Sequence, residues 1–214
     1  MQKIAELNPG NIRRYIDRVS GSVRRDFDAL TPDPYVPAGF RRKHIVRYIV
    51  LERSGDLLEL GELPMRPLFQ DSRYNPVHGD LHRVYPRFTP SAATRALVEG
   101  FVRTAGLERG TSVLVQAQRI TCSTGQEGLP SVEDWHQDGV DGVGVCCVAR
   151  ENIQGGASQF KDLDGNLILS DVLRPSELLL FDDAHVKHRV TPIQVRSPGS
   201  GHRDVLLFSH GGCS

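Results

Sequence analysis

The sequence predicts a mainly β fold, a sandwich or barrel of the jelly-roll kind flanked by α-helices. Three observations carry this. Short β-rich runs follow one another from Ser112 to His210, and Gly, Asp, Asn and Pro punctuate them at the spacing of all-β folds. Helical periodicity is confined to the part before Gly110. No internal repeat, heptad or low-complexity tract interrupts the pattern.

Taken in order, Asn8-Pro9 reads as a helix N-cap with proline at the first helical position, and Ile12, Ile16, Val19, Val23 and Phe27 recur at intervals of three and four. A helical segment is therefore expected within residues 1–39. A hairpin follows, from Lys43 to Leu51, through a turn at Ser54-Gly55-Asp56, to Leu57–Leu63. Pro64 to Pro90 is polar and proline-bearing without a sustained period, the character of a binding loop. Ser91 to Leu107 predicts a helix with Leu97, Phe101 and Val102 on its apolar side and Gly106 near its end. Strands are expected at Ser112–Cys122, Val143–Ala149, Ser158–Leu163, Leu167–Ser170, Glu177–Phe181, Val186–Ile193 and Val205–His210. Residues 1–214 are thus expected to form one domain, with a jelly-roll core over 40–210 and one helix inserted near 91–107.

Composition bounds the partners. Lys plus Arg and Asp plus Glu both total 26 among 214 residues, so there is no global positive field for nucleic acid or an anionic membrane. The N-terminal stretch lacks the apolar centre of a secretory signal and no apolar run is long enough to span a bilayer. A cytoplasmic protein acting on a small-molecule substrate is expected, with monomer and homodimer both left open. Cys122, Cys146, Cys147 and Cys213 form no C-x-x-C pair and read as free thiols.

The chemistry is concentrated in Trp135-His-Gln-Asp-Gly139. On an extended segment side chains alternate, so the His136 imidazole and the Asp138 carboxylate point one way and Gln137 the other. A distant histidine would complete a two-histidine, one-carboxylate facial triad, which leaves coordination positions open on a metal. In Ala184-His-Val-Lys-His-Arg-Val190, parity places His188 with Ala184, Val186 and Val190 on the apolar face and His185 on the other. Arg203, fifteen residues beyond His188, opens the strand Asp204-Val-Leu-Leu-Phe208. Taken alone it reads as an exposed strand-end arginine or the partner of Asp204; its guanidinium fork also suits a carboxylate ligand. Arg119 shares parity with Val113, Val115 and Ala117, and a charge on an apolar face needs a partner. That partner is either a carboxylate of cofactor or substrate, or a protein acid such as Glu133 or Asp134. In the 64–90 loop, Tyr74, Asn75, His78, His82 and Arg83 form either a substrate rim or an ordinary solvated connection.

The ordered set His136-Gln-Asp-Gly, Asn152-Ile-Gln-Gly-Gly-Ala-Ser-Gln159, Asp162-Leu-Asp-Gly-Asn166, His188-Arg-Val-Thr-Pro-Ile193 and Arg203-Asp-Val-Leu resembles the small bacterial 2-oxoglutarate/Fe(II) dioxygenases, relatives of L-isoleucine hydroxylase that act on free amino acids. The match runs from about Arg41 to Phe208, with a fainter echo in Phe69-Gln-Asp-Ser-Arg-Tyr-Asn75. The resemblance implies a cupin-like double-stranded β-helix; Fe(II), 2-oxoglutarate and O₂; iron ligands His136, Asp138 and His188; and a 2-oxoglutarate contact at Arg203. It also implies that Ser158, Gln159 and Thr191 line the cavity, Thr191 on the cofactor side. One departure is Val205, where the wider superfamily often has serine or threonine. Two rivals share the residues: a cupin-type hydrolase or isomerase using another divalent metal, and a noncatalytic jelly-roll binding module. Asp162–Asn166 is not a calcium loop, because its glycine is misplaced and no glutamate completes it; Asp164-Gly165 makes it a hairpin turn.

Overall fold

The computed structural model describes residues 1–7, 11–55, 57–131 and 133–212. Thirteen strands and two α-helices follow in chain order: β1 Gln2–Leu7, β2 Ile12–Ile16, α1 Gly21–Arg25, β3 Arg41–Ser54, β4 Leu57–Glu62, α2 Ala92–Ala105, β5 Ser112–Ser123, β6 Gly142–Glu151, β7 Ile153–Gly155, β8 Ser158–Lys161, β9 Leu167–Asp171, β10 Glu177–Asp182, β11 Lys187–Val190, β12 Ile193–Val195 and β13 Ser200–His210. One sheet holds eight strands in the order β1-β2-β10-β6-β13-β5-β3-β4; β11-β8-β9 and β12-β7 form two smaller sheets. All named pairings are antiparallel. The expected mainly β jelly-roll architecture is what the chain adopts, and no helix among the described residues is long and apolar enough to cross a membrane.

The large sheet is buried on both faces, and the two differ. Odd-numbered β5 residues Val113, Val115 and Ala117 join Val46, Tyr48, Leu206 and Phe208 in a core packed by Leu97, Val98, Phe101 and Val102 of α2. Even-numbered Leu114, Gln116 and Gln118 face the opposite way, into a cavity. Helix α2 is specified as expected: Ser91 caps its start by accepting from the Thr94 amide, and Gly106 ends it at φ 72°, a left-handed conformation that glycine adopts without strain. Asp26 accepts from the Ser91 amide and from the Ser91 and Thr94 hydroxyls, which ties the end of α1 to the start of α2.

The N-terminal helical segment expected from Ile12 to Phe27 is corrected. Ile12–Ile16 is a strand between β1 and β10, and only Gly21–Arg25 is helical. The residues concerned are largely β-branched and suit a pleated surface at least as well as a helix, so pairing with β10 decides. Ile16, assigned to the apolar helix face, is 44% exposed, whereas Val23 and Phe27 are buried. Asn8-Pro9, the expected cap, lies outside the described residues.

The strand expected over Val186–Ile193 divides into β11 and β12. Pro192 has no amide hydrogen to continue a ladder, and its carbonyl accepts from the Gly156 amide. Gly155 sits at φ 75°, and a Cβ there would fall on that same Pro192 oxygen, so the close approach requires glycine. The paired strands over 41–54 and 57–62, the Asp162–Asn166 turn and the other strands form as expected to within a few residues, while Asp56 of the expected hairpin turn lies outside the described residues.

Candidate metal centre and cofactor cavity

His136 and His188 come from segments far apart in sequence and meet as an isolated antiparallel bridge. Each donates its amide to the other's carbonyl, at 3.1 and 2.9 Å, and directly opposed residues of such a pair project side chains to the same side. Their ring centroids lie 4.3 Å apart. Two residues past His136, Asp138 returns to that side, while Gln137 points away and donates to the Asp183 carbonyl at 2.8 Å. Asp138 Oδ1 is 3.9 Å from His136 Nε2 and Oδ2 is 3.7 Å from His188 Nε2. The three ligand atoms fall within 4.8 Å of one another, a spacing that one metal ion can bridge.

Protonation suits that use. His136 Nδ1 donates to the Asp134 carbonyl at 2.8 Å, which leaves Nε2 as the ring nitrogen turned to the other two ligand residues. Burial, reinforced by the neighbouring His136, lowers the His188 pKa to about 3, which keeps that ring neutral. Gly139 turns the chain after Asp138 at φ 75°, where a side chain would collide with the Tyr74 ring.

Behind the histidines sits Asp183, which sequence reasoning missed. It is 1% exposed, accepts from the amides of Asp138, Gly139 and Val140, and places Oδ1 3.8 Å from His188 Nδ1. Burial, then the Asp138 charge, pushes its pKa up to about 6 against the pull of those amides. The signal available was the acidic pair Asp182-Asp183 just before the histidine strand.

The triad borders a cavity of about 440 Å³ against the large sheet. Arg203 lines it, 2% exposed, with Nε and Nη2 bonded to no protein group. It is neither an exposed strand-end arginine nor the partner of Asp204, which projects to the other face. Burial lowers its pKa, so a ligand carboxylate would relieve a real cost. Val205, the departure from the superfamily pattern, is an apolar part of the wall.

Arg119 is corrected as a cofactor contact. It points to the helix-packed face and grips both Asp204 oxygens at 2.8 Å, with Asp28 at 3.4 Å. Its partner is a protein acid, but neither Glu133 nor Asp134: the first lines the cavity and the second pairs with Arg189 at 2.6 Å.

Thr191, Ser158 and Gln159 are likewise not in the cavity wall. The Thr191 hydroxyl accepts from the Ala157 amide at 2.9 Å, anchoring the chain at the Pro192 break. Ser158 is buried one strand behind Val190, and it is Val190 that reaches the cavity. Gln159 alternates to the outer face, where it accepts from Arg189 Nε at 2.8 Å and donates to the Ser170 hydroxyl at 3.0 Å.

Of the loop residues, Tyr74, Asn75 and Arg83 line the cavity. Leu68 and Arg83 exchange backbone hydrogen bonds at 2.7 and 2.9 Å, which fixes both ends of the loop. His78 instead holds the Tyr35 carbonyl at 2.7 Å, and His82 lies against Phe69. Arg41, Lys43 and Gln70 also line the cavity. The signal for Arg41 and Lys43 was a strand, β3, with cations at alternate positions opposite Val46, Tyr48 and Val50.

A family model described as 2OG-Fe dioxygenase matches residues 24–209. Among solved structures, a bsmA homolog from Methylobium petroleophilum PM1 is similar at 26% identity and TM-score 0.72, covering 89% of this chain and 79% of the other. IDO from Bacillus thuringiensis gives 17% identity and TM-score 0.69 over 90% and 81%. The Fe(II)/(alpha)ketoglutarate-dependent dioxygenase TqaL gives 18% and 0.64 over 89% and 73%. The last two likenesses are of fold. No curated protein matches the chain.

Proposed function

The chain belongs to the 2OG-Fe dioxygenase family and uses Fe(II), 2-oxoglutarate and O₂; from that premise we propose that His136, Asp138 and His188 hold the iron, that Arg203 receives 2-oxoglutarate, and that the reaction hydroxylates an unactivated C–H of a free L-amino acid or amino-acid-like metabolite. The observation that carries the site assignment is an unpartnered, buried guanidinium sharing one cavity with a preassembled triad. The amino-acid class is supported by the family resemblance of the motifs and by a cavity wall that offers both Glu133 and cations to a zwitterion. The hydrolase and binding-module rivals are not favoured by the family match.

When bound, the iron with 2-oxoglutarate and O₂ supplies the oxidising chemistry, yielding succinate and CO₂ beside the oxidised product. The protein's part is position and exclusion. His136 and Asp138 are held by the His188 bridge and the Asp183 amide cradle, so little reorganisation remains on loading. Arg203 offers two unused donors in a fork, the geometry for a terminal carboxylate. Val143, Val145, Val205 and Leu207 form an apolar wall that limits water beside the triad.

The test is O₂-dependent succinate release by the wild type and by His136→Ala, Asp138→Ala and His188→Ala, with an anaerobic Fe(II) and 2-oxoglutarate titration followed by visible absorption. The wild type should develop a charge-transfer band and release succinate; each variant should do neither. Unchanged turnover in any variant would refute its assignment.

A further inference from the structure

The cavity holds more buried positive charge than its protein neighbours answer. Arg41 is paired with Asp33 at 2.6 Å and Arg73 with Asp71 at 2.8 Å. Lys43 and Arg83 are not paired in this way. Lys43, 4% exposed, makes no side-chain ion pair or hydrogen bond among the described residues; its ammonium lies 4.4 Å over the Tyr85 ring. Arg83, 2% exposed, spends one nitrogen on the Gln70 side-chain oxygen and leaves Nε unbonded, as Arg41 leaves Nη2. A buried cation without a counter-charge is costly, and such a site persists where a ligand supplies that charge.

We propose that the Lys43–Arg83 pair, flanked by Arg41, is the docking site for the substrate's carboxylate, and that Glu133 beside it receives the substrate's ammonium. This deepens the amino-acid reading given above and rests on the dioxygenase assignment. Glu133 accepts from the Asn75 side-chain nitrogen at 3.3 Å, lies 3.7 Å from His78 Nδ1 and faces the same cavity, so counter-charges for both ends of a zwitterion stand in one wall. The site adjoins the triad rather than lying remote from it: Gln70 accepts from Arg83 and reaches Asp138 Oδ1 at 3.4 Å with its amide nitrogen. Arg203 is separate, on β13, so 2-oxoglutarate and substrate each have a cation of their own. Burial, then repulsion from Arg41 and Arg83, drives the Lys43 ammonium well below its ordinary 10.5, against the pull of Asp33 and Glu133. An anion seated between the two cations would reverse that penalty.

The experiment measures succinate release from wild type with the twenty protein L-amino acids, their carboxamides and their N-acetyl derivatives, each with Fe(II) and 2-oxoglutarate. At least one free acid should stimulate release, and its carboxamide should do so on the order of 10- to 100-fold less well, the worth of charge-assisted hydrogen bonds. The N-acetyl derivative should be impaired through Glu133. Lys43→Met should raise the KM for that acid by a similar factor, with a smaller shift in the anaerobic 2-oxoglutarate titration. It should also melt at or above the wild-type temperature, since it removes an unanswered charge; a structural lysine would lower it. An amide as effective as its acid, a panel with no active acid, or a Lys43→Met effect confined to 2-oxoglutarate would overturn the proposal. The anaerobic Fe(II) and 2-oxoglutarate titration of the wild type separates the two failures: with the charge-transfer band present, only the docking site is wrong; without it, the assignment of the triad and Arg203 falls as well.

Discussion

Arg203 and Arg119 stand one position out of register on adjacent strands and meet opposite fates. Arg119 is paired across the sheet with Asp204, and its guanidinium is closed by both oxygens of that carboxylate. Arg203, next to Asp204 in sequence, turns to the other face and leaves Nε and Nη2 unbonded. Hydrogen bonding to Asp204 raises the pKa of the first, and burial lowers that of the second. The same residue type, on one sheet, is thus closed by a protein acid where the helices pack and, in the function proposed above, a receptor where the cavity opens. On the helix-packed face Arg119 is answered by Asp204; on the cavity face Arg203 keeps two donors without a protein partner.

The sharpest way to break this contrast is to remove the receptor. Arg203→Met should weaken 2-oxoglutarate binding by roughly 100- to 1000-fold, the scale of a lost buried charge pair, while leaving thermal stability unchanged or improved. The anaerobic titration reads the first effect and a melt reads the second. A variant that melts far below wild type yet binds 2-oxoglutarate normally would show that Arg203 is structural.

Two carboxylates sharpen the same contrast. Asp204 and Asp183 are each 1% exposed, yet the first is held by a guanidinium and the second by three backbone amides behind the triad. Asp183→Asn removes the charge and leaves one acceptor oxygen where there were two, so the segment carrying Asp138 should lose part of its support. Iron affinity should fall by roughly 10- to 100-fold, as for other residues that orient metal ligands, with most of the fold retained by circular dichroism. Arg119→Met should act the other way. With Asp204 left buried without its guanidinium, and only His202 at 3.6 Å to answer it, stability should drop by about 2 kcal/mol, or roughly 4–8 °C in Tm for a chain of this size, with 2-oxoglutarate affinity unchanged. If instead that affinity collapses, the division between the faces is wrong.

Which parts of this were legible follows from what parity can and cannot say. Helix α2 and the 41–62 hairpin carry local signals, Ser91 and Gly106 at the helix ends and alternation in the hairpin, so they could be read directly. The triad was legible because H-x-D and a lone histidine on an apolar face each constrain direction, and both segments are locally extended. Residues 12–16 were misread because Ile12, Ile16 and Val19 satisfy a helical spacing by chance, and the β10 partner that recruits them is more than 150 residues away. Arg119 is decided by something parity alone does not say. Its apolar companions Val113, Val115 and Ala117 leave a ligand carboxylate and a protein acid both open, but in a sheet covered on both sides the purely apolar parity is the helix-packed core. Gln116 and Gln118 marked the cavity, and Arg41 and Lys43 on β3 belong with them. Thr191 looked like a continuation of the histidine strand until the Pro192 break redirected it.

The smallest effect tests the two faces within one dipeptide. Cys146 lies in the helix-packed core, while Cys147 packs with Phe160, Phe181 and Val186 on the cavity side. Burial pushes both thiols above their ordinary 9.0, and for Cys147 alone Arg203 and Arg150 pull back. A thiol is neutral when protonated, so a raised folded pKa stabilises the fold below pH 9 and that contribution is lost as pH rises beyond it, because only the unfolded chain can ionise freely. Between pH 9 and 10 each shielded thiol should therefore withdraw on the order of 1 kcal/mol. Urea unfolding of wild type and Cys146→Ala at pH 8 and pH 10 isolates the contribution: the stability gap between them should shrink by that amount at the higher pH. Cys147→Ala should show a smaller narrowing, and the Arg203→Met background should bring it up toward that of Cys146. A gap that stays constant for Cys146 would mean the thiol is open to solvent and the helix-packed face is less closed than its charges require.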